Sequence, residues 1–175
     1  IATGDALIAL FVKANGTSVN ENITVIADLF FSNSKLSLPL GASPDGTCIV
    51  YSGTIQGNGH RIKNLVMSKN ETDKYKNSGL FCGLKNAKIE KLVIDSTCSF
   101  SGQNSGSISV TALGSVSMKN VKNNAAVFGN GTVGGFIGFL DDKSEKTLLS
   151  FDGCENNGNI SGHYNYAGGF VGYIG

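Results

Sequence analysis

The chain has 175 residues, enough for one domain with a single elongated core. Only 15% of the residues are charged and the formal net charge is +1, which excludes a basic surface built for nucleic acid. The 24 glycines against 2 prolines, with abundant Asn, Ser and Thr, exclude a proline-rich disordered linker and suit short strands joined by turns.

The first segment reads as a helix. Thr3 is an N-cap, Asp5 suits the positive end, and Leu7, Leu10, Phe11 and Ala14 recur at helical spacing before the stop signal Asn15-Gly16. Residues 1–16 are therefore expected to cap the N-terminal end of whatever follows. Its apolar run, Ala6 to Val12, is the longest in the chain and far short of the ~20 residues that cross a bilayer, so no membrane insertion is expected.

From Asn22 the pattern becomes strand-like, with Ile23, Val25 and Ala27 alternating and Leu29-Phe30-Phe31 following. Residues 32–48 hold both Pro39 and Pro44 and are expected to form a polar surface excursion. Gly57-Asn58-Gly59 then breaks a strand. Ile62 to Met67, Ile89 to Ile94 and Val116 to Val121 read as strands 27 residues apart, which predicts that Ile62, Ile89 and Val116 stack in one inward ladder. Residues 141–147 read as a lengthened charged turn.

The same phrase occurs at Gly134-Gly135-Phe136-Ile137-Gly138 and, 34 residues on, at Gly168-Gly169-Phe170-Val171-Gly172. Looser copies stand at Gly79-Leu80-Phe81-Cys82-Gly83 and Gly106-Ser107-Ile108-Ser109. Self-similarity at a period of about 20–50 residues marks a solenoid, in which each repeat covers the open edge of its neighbour. Equivalent residues then lie one strand spacing apart, and burial of an apolar ladder offsets an ordering entropy that one repeat alone could not meet. The expected domain is 1–175, with coils over 22–175.

Laid in order, these pieces resemble the surface proteins that carry GLUG repeats. The carriers are the helix with Lys13-Ala14-Asn15-Gly16, the strand Asn22 to Leu29, the Gly57-Asn58-Gly59-His60 element before Ile62-Lys63-Asn64-Leu65, and the two Gly-Gly-aromatic phrases flanking Cys154 to Gly162. The resemblance implies an all-β, right-handed parallel β-helix of the pectin-lyase-like class within a larger cell-surface or secreted protein. It implies no shared catalytic set. The chain departs from the pattern in the length of 32–48 and in lacking Gly-Gly-Phe within 106–133.

That class includes pectin-degrading enzymes, so the carboxylates matter. A glycosidase needs two carboxyl groups about 5–10 Å apart across a cleft. Asp141 and Asp142 are adjacent, so on a strand they would face opposite sides, and Asp95 and Asp152 read as turn-capping residues. Gly59-His60-Arg61-Ile62-Lys63 carries fragments of a polygalacturonase pattern without its carboxylate cluster, and reads as a turn. With His60 and His163 as the two histidines, no nucleophile–base pairing emerges. No helix follows the Gly-rich phrases, which excludes a dinucleotide site, and no metal or other cofactor is expected.

Cys48, Cys82, Cys98 and Cys154 match no zinc spacing and allow three pairings if all are oxidised, with free buried thiols the competing reading. Sequons at Asn15, Asn22, Asn70, Asn130 and Asn159 make these asparagines glycosylation candidates and point to secretion. His163, Tyr164 and Tyr166 form a candidate carbohydrate-contact cluster. The expected function is a non-catalytic adhesive or spacer module at the cell surface or outside the cell. Its expected partners are a host or neighbouring-cell glycan or protein, and the remainder of a longer chain continuing past Gly175. A polysaccharide lyase or hydrolase is the alternative.

Overall fold

The computed structural model describes residues 1–14, 18–31, 36–70, 72–140 and 146–175. Every pairing between strands is parallel, and successive strands along the chain belong to successive sheets, which is the winding of a β-solenoid. The first face is a six-stranded sheet running Ser18–Val19, Val50–Tyr51, Phe81–Lys85, Ser109–Leu113, Ile137–Leu140, Val171–Ile174. Two five-stranded sheets follow, one through Ile23–Thr24, Lys88–Glu90 and Leu148–Asp152, the other through Leu29–Phe30, Val93–Ile94 and Glu155–Asn156. A four-stranded sheet (Val66–Ser68, Ser99–Gly102, Ala126–Gly129, Ile160–Gly162) and a three-stranded one (Ser105–Gly106, Thr132–Gly134, Tyr166–Gly168) complete the circuit.

The glycine phrases stack as their repetition predicts. Gly106, Gly134 and Gly168 share one register and Ser109, Ile137 and Val171 another, while the earliest copy is offset by one residue, Phe81 rather than Cys82 pairing with Ser109. The missing Gly-Gly-Phe in the second copy along the chain is tolerated because Ile108 is fully buried there and Ser107 donates its hydroxyl to the Gly135 carbonyl.

The 27-residue ladder is corrected. Ile62, Ile89 and Val116 are all buried, but they lie in separate stacks: Ile62 on Ile94, Ile89 on Met118, and Val116 on Leu149. The cause is local. The strands read as continuous turn corners at Asn64, Lys91 and Asn120, each in the left-handed region with φ of 58°, 52° and 52°. Matching segments by sequence thus aligned different corners. The 27-residue interval is real where Phe100 pairs with Val127, yet excursions lengthen other coils, as in the pairing of Ile55 with Ile89.

The N-terminal helix spans Gly4–Val12, with Thr3 Oγ1 accepting from the Ala6 N–H at 3.1 Å as an N-cap. Leu7 and Phe11 are buried over the solenoid end, and Phe11 packs on Tyr51 and Phe81 at ring distances of 6.4 and 5.7 Å. The Asn15-Gly16 stop, the start of the 32–48 insertion and most of the 141–147 turn lie outside the described residues. Within that insertion the surface expectation fails over residues 36–40. Leu36 and Leu40 are core residues, and Leu40 both accepts from Cys82 N–H and donates to the Leu80 carbonyl. Burial of these two leucines in the core cluster outweighs the proline signal.

Candidate functional site

The inward ladders determine which side chains face out. Leu29, Ile62 and Ile94 give way, in the same register, to Asn123 and Asn156. Asn123 is wholly buried and fully engaged: its amide donates to Ala125 O (3.1 Å) and Asn156 Oδ1 (2.9 Å), and Asn123 Oδ1 accepts from Ala125 N–H. This is a structural rung, not a site.

On the outside of the same sheet, charges pair between stacked coils. Lys63 meets Asp28 at 2.8 Å, Arg61 meets Asp95 at 2.7 Å and Lys122 meets Glu155 at 2.9 Å, while His60 Nδ1 lies 3.6 Å from Asp28. The hydrogen bond from Arg61, helped by the Thr97 N–H and opposed by burial, holds the Asp95 carboxyl below the ordinary carboxylate range. Lys63 does the same for Asp28, and Lys122 for Glu155. Each of these carboxylates is thus held ionised by a neighbouring cation, the opposite of what a general acid requires. Gly59-His60 is a turn, with Asn58 and Gly59 at positive φ.

The structure joins Cys48 to Cys82 with Cα atoms 5.9 Å apart, and leaves Cys98 and Cys154 as thiols. Burial pushes the Cys98 thiol up to about 11, and its Sγ donates to the Ile62 carbonyl, so it is a core residue rather than a nucleophile. Asn22, Asn70, Asn130 and Asn159 are exposed, and Asn15 lies outside the described residues.

A concavity runs beside the four-stranded sheet. Four outward positions stack there: Ser68, Ser101, Phe128 and Ser161. The loops that leave these strands stack in turn. A groove of about 580 Å³ lies between Lys69, Lys76, Gln103, Asn130, Tyr164 and Asn165, and an adjoining hollow of about 440 Å³ adds Phe128, Ser161 and His163. The wall is rigid below the side chains. Thr132 donates both N–H and hydroxyl to Asn104 Oδ1, and the Gly131 N–H reaches Gln103 O at 2.7 Å.

His163 and Tyr164 meet edge to face at 4.4 Å and line this groove, with Tyr164 72% exposed. Tyr166 does not join them: it lies on the next sheet and stacks on Tyr173 at 4.8 Å. Sequence reading missed Lys69, Lys76, Ser101, Gln103 and Phe128. A signal was present in Ser101-Gly102, Phe128-Gly129 and Ser161-Gly162, whose glycines share one register and precede the groove loops.

No family model matches the chain, and no curated protein matches it significantly. Among solved structures it is similar to the crystal structure of a "putative immunoglobulin A1 protease" from Bacteroides ovatus, at 19% identity with a TM-score of 0.76. The likeness covers 100% of this chain and 52% of that one, so this chain spans about half the length of the protein it matches. At that identity the likeness extends to the fold, a parallel β-solenoid with one short N-terminal helix.

Proposed function

We propose that this chain is a non-catalytic module of a GLUG-like extracellular surface protein, contacting carbohydrate through the groove beside Tyr164. The observation that carries this reading is the composition of one continuous lateral wall. Exposed aromatic faces at Tyr164 and Phe128 supply apolar platforms, and Ser101, Gln103, Asn130 and Asn165 supply hydroxyl and amide partners. Sugars present this same mixture of apolar ring faces and hydroxyl edges. A solenoid repeats such positions coil by coil, which suits an extended ligand.

The enzymatic alternative needs two convergent carboxyl groups. The described residues of the groove lining include none, and Asp28, Asp95 and Glu155 are each matched to a cation elsewhere. The proteolytic name of the structural neighbour belongs to a protein about twice as long, and at 19% identity the likeness carries the fold alone. Asn70 and Asn130 are both glycosylation candidates and groove residues, so a glycan attached at either would occupy the groove. The binding reading therefore requires them unmodified.

Screening the full chain against immobilised glycans tests this. Tyr164→Ala should weaken any binding by about tenfold, in keeping with the loss of one aromatic contact, and leave the melting midpoint unchanged. Depolymerisation of a bound polysaccharide by the wild-type chain would instead establish the lyase or hydrolase alternative.

A further inference from the structure

We infer that the groove selects an acidic polysaccharide, a sugar chain bearing carboxylate or sulfate, over a neutral one; this rests on the reading of the groove as a glycan-contact surface. The inference comes from how its two lysines are placed. Lys69 N–H donates to the Ser101 carbonyl at 2.7 Å, and Gln103 N–H donates to the Lys76 carbonyl at 2.7 Å. The excursion between them thus leaves and rejoins the wall at points two residues apart, roughly 6–7 Å along a strand. Both cations are anchored side by side on one wall of the groove.

Four cations outside the groove, Arg61, Lys63, Lys119 and Lys122, each sit on a carboxylate of a stacked coil. Lys69 and Lys76 have no such partner among the described residues. Asp73, the described carboxylate of the same excursion, turns back to accept from the Asn70 N–H at 2.7 Å and is not part of the lining. The remaining polar lining is neutral amide and hydroxyl. A groove lined by two cations, with no counter-charge among its described residues, favours an anionic chain, while the aromatic ring still requires a surface to stack on. Two lysines and a net charge of +1 are too little for a nucleic-acid backbone, which takes a run of phosphate contacts.

The test titrates the full chain with polygalacturonate, a heavily sulfated glycosaminoglycan, an uncharged galactan and oligo-dT. The wild type is compared with Lys69→Gln/Lys76→Gln, with Lys13→Gln/Lys88→Gln as a charge-matched control, and with Tyr164→Ala. Melting midpoints verify that each variant is folded. The expected result is binding to one of the two anionic glycans, weakened by added salt, about tenfold weaker in the groove double variant and within twofold in the control. Which of the two binds identifies carboxylate or sulfate as the anion. Equal or tighter binding of galactan, or a groove double variant that binds like wild type, overturns the anionic inference. The glycan-groove reading survives that result if Tyr164→Ala still weakens binding. Binding of no glycan, or binding indifferent to Tyr164, overturns both, as does a preference for oligo-dT.

Discussion

The first and last described coils carry the same kind of aromatic cluster and cover it to different degrees. At the N-terminal end Tyr51 and Phe81 stack at 5.4 Å, and the helix lays Phe11 across them, leaving both rings fully buried. At the C-terminal end Phe136, Phe151 and Phe170 gather at 5.1 to 5.9 Å, but Phe170 remains 37% exposed and Tyr173 and Ile174 are more exposed still. The strands of that last coil are edge strands of their sheets. A coil buries its core only through what lies on both sides of it, and the helix supplies one of those sides in a form that presents no strand edge.

The largest consequence is energetic. Phe11→Ala should cost about 3–5 kcal/mol in urea unfolding, because it empties a covered cluster. Phe170→Ala should cost about 1–2 kcal/mol, since part of that ring is already in water. Equal losses would show that the two ends are equally packed. Hydrogen exchange sharpens the same contrast: amides of Val171–Ile174 should exchange faster than those of the equivalent Phe81–Lys85.

A pair of glycines offers the next test. A Cβ at Gly135 would sit 2.8 Å from the Asn156 amide and press on the Gly169 carbonyl, whereas a Cβ at Gly169 meets nothing within 4 Å. The two occupy the same place in the repeated phrase. The structure nevertheless separates them, because Asn156 and the Gly169 carbonyl pack against Gly135 and no described atom packs against the Cβ position of Gly169. Gly135→Ala should lower stability by about 1–3 kcal/mol and Gly169→Ala by less than about 0.5. Matched thermal melts of the two variants read this directly, and similar losses would refute the difference in packing.

That pair also shows what was legible in the sequence. Repetition of Gly-Gly-aromatic, the Thr3 cap and the alternation around Ile23 are local signals, and each appears in the structure where the residues place it. Register was not legible, because it depends on the length of every excursion and on which residue takes a corner. Nothing in Lys91 advertises a left-handed φ in the way Asn64 does, and Leu40 gave no sign that it would pair with Phe81. The groove suffered from the same blindness. Tyr164 and His163 are neighbours in sequence and were found; Lys69, Gln103 and Phe128 become their neighbours only through stacking.

The smallest effect concerns the ion pairs, which also differ between the earlier coils and the last described one. Asp95 is buried and accepts from Arg61 and from the Thr97 N–H, whereas the carboxylate of Glu155, joining the last coil, stands largely in water. Asp95→Asn should therefore cost about 1 kcal/mol, a modest figure because Arg61 is half-exposed and screened by solvent. Glu155→Gln should leave the melting midpoint within error. The sign with pH follows from the depressed Asp95 value. Its stabilisation is fully present above the unfolded carboxylate value of 3.8 and is lost as pH falls through the lower folded value, where the carboxyl takes up a proton and releases Arg61. Between neutral pH and the onset of acid unfolding, the wild-type and Asp95→Asn stability curves should run parallel. Below pH ~4 they should converge, as protonation does to the wild type what the substitution has already done. Curves that stay parallel into acid would mean that Asp95 acts through packing and the neutral Thr97 contact, and that charge contributes nothing to joining these coils.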